Sequence, residues 1–179
     1  YQYYGGMPYL INLNSDEGKQ KYLKQLFSEI YIKDITERNG IKDIESFEKL
    51  LCVLSSSIGS YTNPTNLEKT FKSVENVVYG HVAIKNHIEY IKDAFLISEA
   101  KRYDIKGRKY IGSNSKYYFT DIGLRNALIN FRQNEPTHIM ENIIYNELLC
   151  RGYSVDVGIV EINIKNEKGN YVSKQLETD

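Results

Sequence analysis

The apolar residues of this chain recur at helical spacing up to Ala94 and then switch to strand-like runs, which commits the chain to a mixed α+β fold. Asn14, with Glu17 three residues on, is read as the capping box of a first helix. Its apolar face is Tyr22, Leu23, Leu26, Phe27, Ile30 and Tyr31, and Asn39-Gly40 closes it. That face is expected to pack against a neighbouring or upstream domain. A second helix starts near Asp43, carries Phe47, Leu50, Leu51, Leu54 and Ile58, and ends at Gly59. The cap-proline pair Asn63-Pro64 opens a third, which buries Leu67, Phe71 and Val74. A fourth, His81 to Ala94, turns Ile84, Ile88 and Ile91 inward.

The stretch from Phe95 to Ile105 reads as a strand, turned by Lys106-Gly107-Arg108 and returned by Lys109-Tyr110-Ile111, with a further short strand at Tyr117-Tyr118-Phe119. A helix from Asp121 to about Ile129 comes next. Helices followed by a β-hairpin are the plan of a winged helix-turn-helix. Residues 130–137 read as a linker, 138–151 as a helix closed by Gly152, and 153–164 and 171–179 as strands.

With 23 basic and 23 acidic residues the net charge is zero, which excludes a protein that is basic throughout but not a local basic patch. Six cations, Lys101, Arg102, Lys106, Arg108, Lys109 and Lys116, fall within one short stretch opposed only by Asp104. Lys85, His87 and Lys92 mark the outer face of the helix before it. On a hairpin such cations can track a phosphate backbone, giving affinity without sequence readout. They also suit a protein-docking surface, or lysines guarding a strand edge. Cys52 and Cys150 sit in apolar helical runs and are expected to be reduced core thiols. His81, His87 and His138 have no metal-ligand spacing, and Ser55-Ser56-Ser57 reads as helix surface. No apolar run is long enough to span a bilayer, so a soluble, cytoplasmic protein is expected, with no membrane partner.

An ordered series then carries a resemblance. It comprises Tyr4-Gly5-Gly6-Met7-Pro8, Tyr22-Leu23-x-x-Leu26-Phe27, Tyr31-Ile32-x-Asp34-Ile35, Asp93-Ala94-Phe95-Leu96-Ile97, Lys116 through Arg125, and Arg151-Gly152-Tyr153. The series resembles the C-terminal half of the predicted prokaryotic AAA-type ATPases, in which a P-loop core is followed by a winged helix and a restriction-endonuclease-like tail. The chain has no Gly-x4-Gly-Lys-Ser/Thr motif, so ATP and Mg²⁺ are expected only for a core upstream of Tyr1. The resemblance places Glu141 and Asp179 at the helix and strand positions of a nuclease site, with Glu177 on the same strand face as Asp179. Family members continue beyond Asp179, and the position of Thr178 is usually aliphatic in them. Arg125 is a candidate for reaching a neighbouring ATP in trans.

The combined expectation is an α+β chain in three parts. Residues 1–40 form the exit from an ATPase core and a linker helix, 41–132 a winged helix, and 133–179 the opening of an incomplete endonuclease-like domain. The leading functional expectation is a non-catalytic recognition module. It would contact double-stranded DNA or a protein partner beside an upstream ATPase domain, and the chain itself would hold no cofactor and no metal. The alternatives are part of a Mg²⁺-dependent nuclease with ligands beyond residue 179, and an interdomain or oligomerisation scaffold.

Overall fold

Two capping side chains set the helical half of the molecule. In the computed structural model, which describes residues 1–75, 77–132, 135–165 and 171–178, the Asp43 carboxylate accepts the Ser46 N–H and starts α3 (Ile44–Ser56). Asn63 accepts the Asn66 N–H and starts α4 (Pro64–Thr70) with proline in its first turn. Ahead of them, α1 (Asp16–Leu26) runs through a π-helical segment, Phe27–Ile32, into α2 (Lys33–Asn39). The cap of α1 is Ser15 rather than Asn14, its hydroxyl accepting the Gly18 N–H at 3.1 Å. Gly40 closes α2 in the left-handed conformation, φ 63°. After α5 (His81–Asp93), Phe95 takes up φ 56° while its N–H bonds Lys92 O and that of Leu96 bonds Ile91 O. Phe95 therefore caps the helix and is exposed rather than opening the strand.

Leu23, Phe27, Ile35, Phe47, Leu50, Leu54, Ile84, Ile88 and Ile91 are buried in one core, so the first helix packs within this chain. Two expected core residues point outward instead. Ile30 lies in the π segment of the first helix and Val74 in a second one, Phe71–Glu75. A π turn inserts extra backbone per turn and rotates the succeeding side chains off the helical stripe. Cys52 and Cys150 are likewise exposed, Cys52 because the stripe from Phe47 to Leu54 occupies the opposite face of α3.

The hairpin consists of β1 (Ile97–Asp104) and β2 (Lys109–Phe119), paired antiparallel from Ile97↔Phe119 to Asp104↔Lys109 with a register shift between Lys101 and Tyr103. The return strand is thus one continuous element rather than two short ones. At its base the hairpin is buried on both faces. Ile97, Tyr117 and Phe119 join the helical core, whereas Ala100 and Tyr118 face α7 (Pro136–Cys150). Between them, α6 (Ile122–Leu128) is capped by Asp121, whose carboxylate accepts the N–H groups of both Leu124 and Gly6. The N-terminal turn lies so close to this helix that a side chain on Gly123 would run into the Tyr4 carbonyl.

The last two strands, β3 (Val157–Lys165) and β4 (Tyr171–Thr178), pair antiparallel, and β3 runs parallel to β1 through Arg102↔Val157 to Asp104↔Ile159. Among the described residues this makes one mixed four-stranded sheet, β2-β1-β3-β4. Helix α7 starts at Pro136, two residues earlier than the spacing predicts, and is pinned to β2 by the fully buried Asn142. Its amide accepts from Phe119 N at 2.8 Å and donates to Phe119 O at 2.7 Å. No helix among the described residues is long and apolar enough to cross a membrane.

Replacing Asn142 with Ala should destabilise the chain by about 2–3 kcal/mol, because the Phe119 N–H is left buried without its partner. Urea unfolding of the variant against the parent measures this directly.

Candidate functional site

Three elements bring ionised side chains to one point on the α7 side of the sheet. Because Tyr117 faces the helical core, Lys116 beside it on β2 faces the other way, paired across the strands with Ala100. Asn142 and Asn146, both bonded to Phe119, hold α7 in register so that Glu141 reaches Lys116. The β3–β4 register sets Glu177 opposite Ile159, which is buried in the same small cluster as Ala100 and Tyr118. Lys116 is 5% exposed. Its Nζ donates to Glu141 Oε1 at 2.8 Å and also to Glu177 Oε1. The Tyr118 hydroxyl donates to the same Glu141 oxygen.

Further groups close around this contact. The Tyr61 ring lies 5.4 Å from Lys116 Nζ and 5.1 Å from the Arg102 guanidinium, which in turn bonds Gln175 on β4 at 2.7 Å. His138 stands one turn before Glu141 on α7, its Nδ1 3.8 Å from Glu141 Oε2. Gly59, at φ 70°, abuts both of them and leaves no room for a side chain. Burial acts to lower the Lys116 pKa, but its hydrogen bonds to Glu141 and Glu177 outweigh burial and raise it. Burial first, and the charge of Glu177 second, push the Tyr61 hydroxyl up.

The resemblance to nucleases implies Mg²⁺ at this place, and the described residues do not fit it. Mg²⁺ demands several oxygen donors in near-octahedral array. Here the two carboxylates meet on an ammonium instead, and no group of three or more His, Cys, Asp or Glu that could hold a metal occurs among the described residues. Asp179, the other expected ligand, lies outside the described residues. Glu141 and Glu177 both meet Lys116, a lysine expected in the phosphate-facing hairpin.

The remaining cations of that stretch divide by exposure. Lys101, Lys106, Arg108 and Lys109 are exposed on the hairpin and Lys85 is exposed on α5, whereas Arg102 is half-buried and engaged with Gln175 and Tyr61. The hairpin tip has a defined shape, since Asp104 Oδ1 accepts the N–H groups of Lys106 and Gly107 at 3.1 and 3.0 Å. Lys106 Nζ also bonds the Glu161 carbonyl at 2.9 Å. Arg125 is excluded from the trans role suggested by its sequence position. It is fully buried, and its Nε donates to Ser55 O at 2.7 Å.

An open cleft of about 630 Å³ between α7 and the sheet was not legible in the sequence. Its lining includes Met140, Ile144, Leu148, Tyr118, Tyr145 and Val157. The i, i+4, i+8 spacing of Met140, Ile144 and Leu148 on α7 was the available signal, but it is indistinguishable from an ordinary core stripe.

A second, half-buried ion pair supports the hairpin from the helical side. Lys92 Nζ lies 2.7 Å from Glu99 Oε2, and Ser115 donates to the other oxygen at 2.7 Å. Burial acts to raise the Glu99 pKa, but the bonds from Lys92 and Ser115 prevail and hold it below the usual carboxylate range. A carboxyl more acidic folded than unfolded stabilises fully above its unfolded pKa and loses that contribution as pH falls through the folded value. Stability measured by urea unfolding should therefore decline below about pH 4.3, and Glu99→Gln should flatten that decline while lowering stability at neutral pH.

The chain belongs to a family described as a domain of unknown function (DUF8612), whose model matches residues 1–135. It is 35% identical over 158 residues to an uncharacterized protein of Haemophilus influenzae, covering 88% of this chain and 39% of that protein. It is 26% identical over 171 residues to an uncharacterized protein of Methanocaldococcus jannaschii, covering 94% of this chain and 37% of that one. The chain thus spans about two fifths of the length of these curated relatives. No solved structure matches it.

Proposed function

We propose that this DUF8612 chain is a non-catalytic recognition module of a longer ATP-binding protein, and that it contacts the phosphate backbone of double-stranded DNA through the tip of the β1–β2 hairpin. The observation that carries the reading is the exposed cation set Lys106, Arg108 and Lys109 at the turn that Asp104 holds in shape, with Lys101 exposed further along β1. Cations on a fixed hairpin can follow a backbone with little ordering on binding, and such contacts are indifferent to sequence. In this reading α3 to α5 and the hairpin act as a winged helix, with Lys85 on α5 adding a further phosphate contact. The resemblance to AAA-type ATPases supplies the expected upstream partner, and the greater length of the relatives leaves room for it. The non-catalytic part of the reading rests on the missing Gly-x4-Gly-Lys-Ser/Thr motif and on a nuclease-like site for which the described residues supply only two carboxylates.

Fluorescence anisotropy of the chain on a 20-base-pair duplex across a salt series tests this. Binding in the range of about 10⁻⁴–10⁻⁶ M near physiological salt is expected, tightening as salt is lowered. Lys106/Arg108/Lys109→Ala should weaken it and flatten the log–log salt slope by about 2.7, three contacts at roughly 0.9 each. No binding at low salt, or binding indifferent to the triple substitution, contradicts the reading. The apolar cleft along Met140 and Ile144, both half-exposed, would then favour a protein-docking module.

A further inference from the structure

We infer that Lys116 is a built-in counter-ion occupying the place of a divalent cation between Glu141 and Glu177, so that the acidic pair ties three elements together without metal. The inference stands apart from the DNA reading and concerns the opposite side of the hairpin base. Two carboxylates facing one another repel, and both stay ionised only with a cation between them. Here the cation comes from β2, the carboxylates from α7 and β4, and the Lys116 side chain is 6% exposed against 27% and 29% for the two glutamates. The ammonium is therefore the innermost member of the cluster. A divalent ion approaching the carboxylates would meet a positive charge at the point where their oxygens converge, with the Arg102 guanidinium close by across Tyr61.

The geometry shows how the lysine is kept there. Its strand neighbour Tyr117 is buried in the helical core, which directs Lys116 to the α7 face, and the Tyr61 ring covers it from the side. Tyr118 occupies the remaining side of Glu141 by donating to the oxygen that Lys116 also uses. Gly59 lies close to Glu141 Oε2 and His138 on the far side. Octahedral Mg²⁺ needs several oxygen donors around it, and the point where these two carboxylates converge is taken by the Lys116 ammonium. Removing the ammonium should turn the same two carboxylates into a cation site.

The test uses Mn²⁺ as the probe, followed by loss of its free electron paramagnetic resonance signal and by the melting temperature. The parent chain should neither bind Mn²⁺ through Glu141 nor change its melting temperature between EDTA and millimolar Mn²⁺. Lys116→Met should bind Mn²⁺ at least about tenfold more tightly than the parent and be stabilised by it, and the added Glu141→Gln change should abolish both effects. Parent binding as tight as that of Lys116→Met, and lost in Glu141→Gln, overturns the inference. So does a folded Lys116→Met chain that gains no affinity. If Lys116→Met is unfolded without metal, recovery of its far-ultraviolet circular dichroism on adding Mn²⁺ supports the inference, and failure to recover overturns it.

Discussion

Strand β1 carries partners on both edges, and this double pairing sets the positions of the candidate site residues. Its antiparallel pairing with β2 projects the exposed cations from the tip while the base stays sunk between two cores. Its parallel pairing with β3 runs over only Arg102 to Asp104 in the described register, yet it draws the C-terminal strands alongside the hairpin. A parallel pair needs a long crossover, and here that crossover is the return strand, α6 and α7. Helix α7 is consequently laid over the same sheet face that β4 approaches from the far side. Glu141 and Glu177 converge because of topology, not sequence proximity.

Such convergence concentrates like charge, and Lys116 is the response visible in the molecule. Buried ionic clusters seldom add much net stability, since desolvation offsets the attraction, but removing one member of a satisfied cluster is expensive. That asymmetry suits a latch between separately built segments: the fold with all three side chains in place is favoured over any arrangement in which one element has moved. On the opposite face, Lys92 and Glu99 do the same between α5 and β1. The hairpin base is thus gripped by one ion pair on each side, while β3 pairs with β1 next to the tip and the side chains of Lys101, Arg108 and Lys109 stay exposed.

Local chemistry was readable from the sequence, and long-range chemistry was not. Asp43, Asn63 and Asp121 announce their helices because each is a cap followed by an apolar stripe, and each accepts the N–H three residues on. Asn14 and Ser15 are both competent caps one residue apart, and pattern alone does not rank them. The π segments escape notice because Ile30 and Val74 keep perfect helical spacing on paper. Phe95 belongs by composition to the strand, but the backbone uses it as the left-handed end of α5. Lys116 illustrates the deeper limit. As one of six clustered cations it looks like its neighbours, and its strand parity places it on the α7 face; which partners await there depends on residues 25 and 61 positions away. Glu141 and Glu177 were singled out only through the family resemblance.

Lys116 is held to couple the hairpin to the C-terminal strands, and a double-mutant cycle reads that coupling. Urea unfolding of the parent chain, Lys116→Met, Glu177→Gln and the double variant yields the coupling energy between the two positions. Contact within one ionic network predicts about 1–3 kcal/mol, with the double variant less destabilised than the sum of its parts. Additivity to within about 0.5 kcal/mol would mean that Lys116 and Glu177 are neighbours that do not act together, and that the hairpin is not coupled to β4 through them.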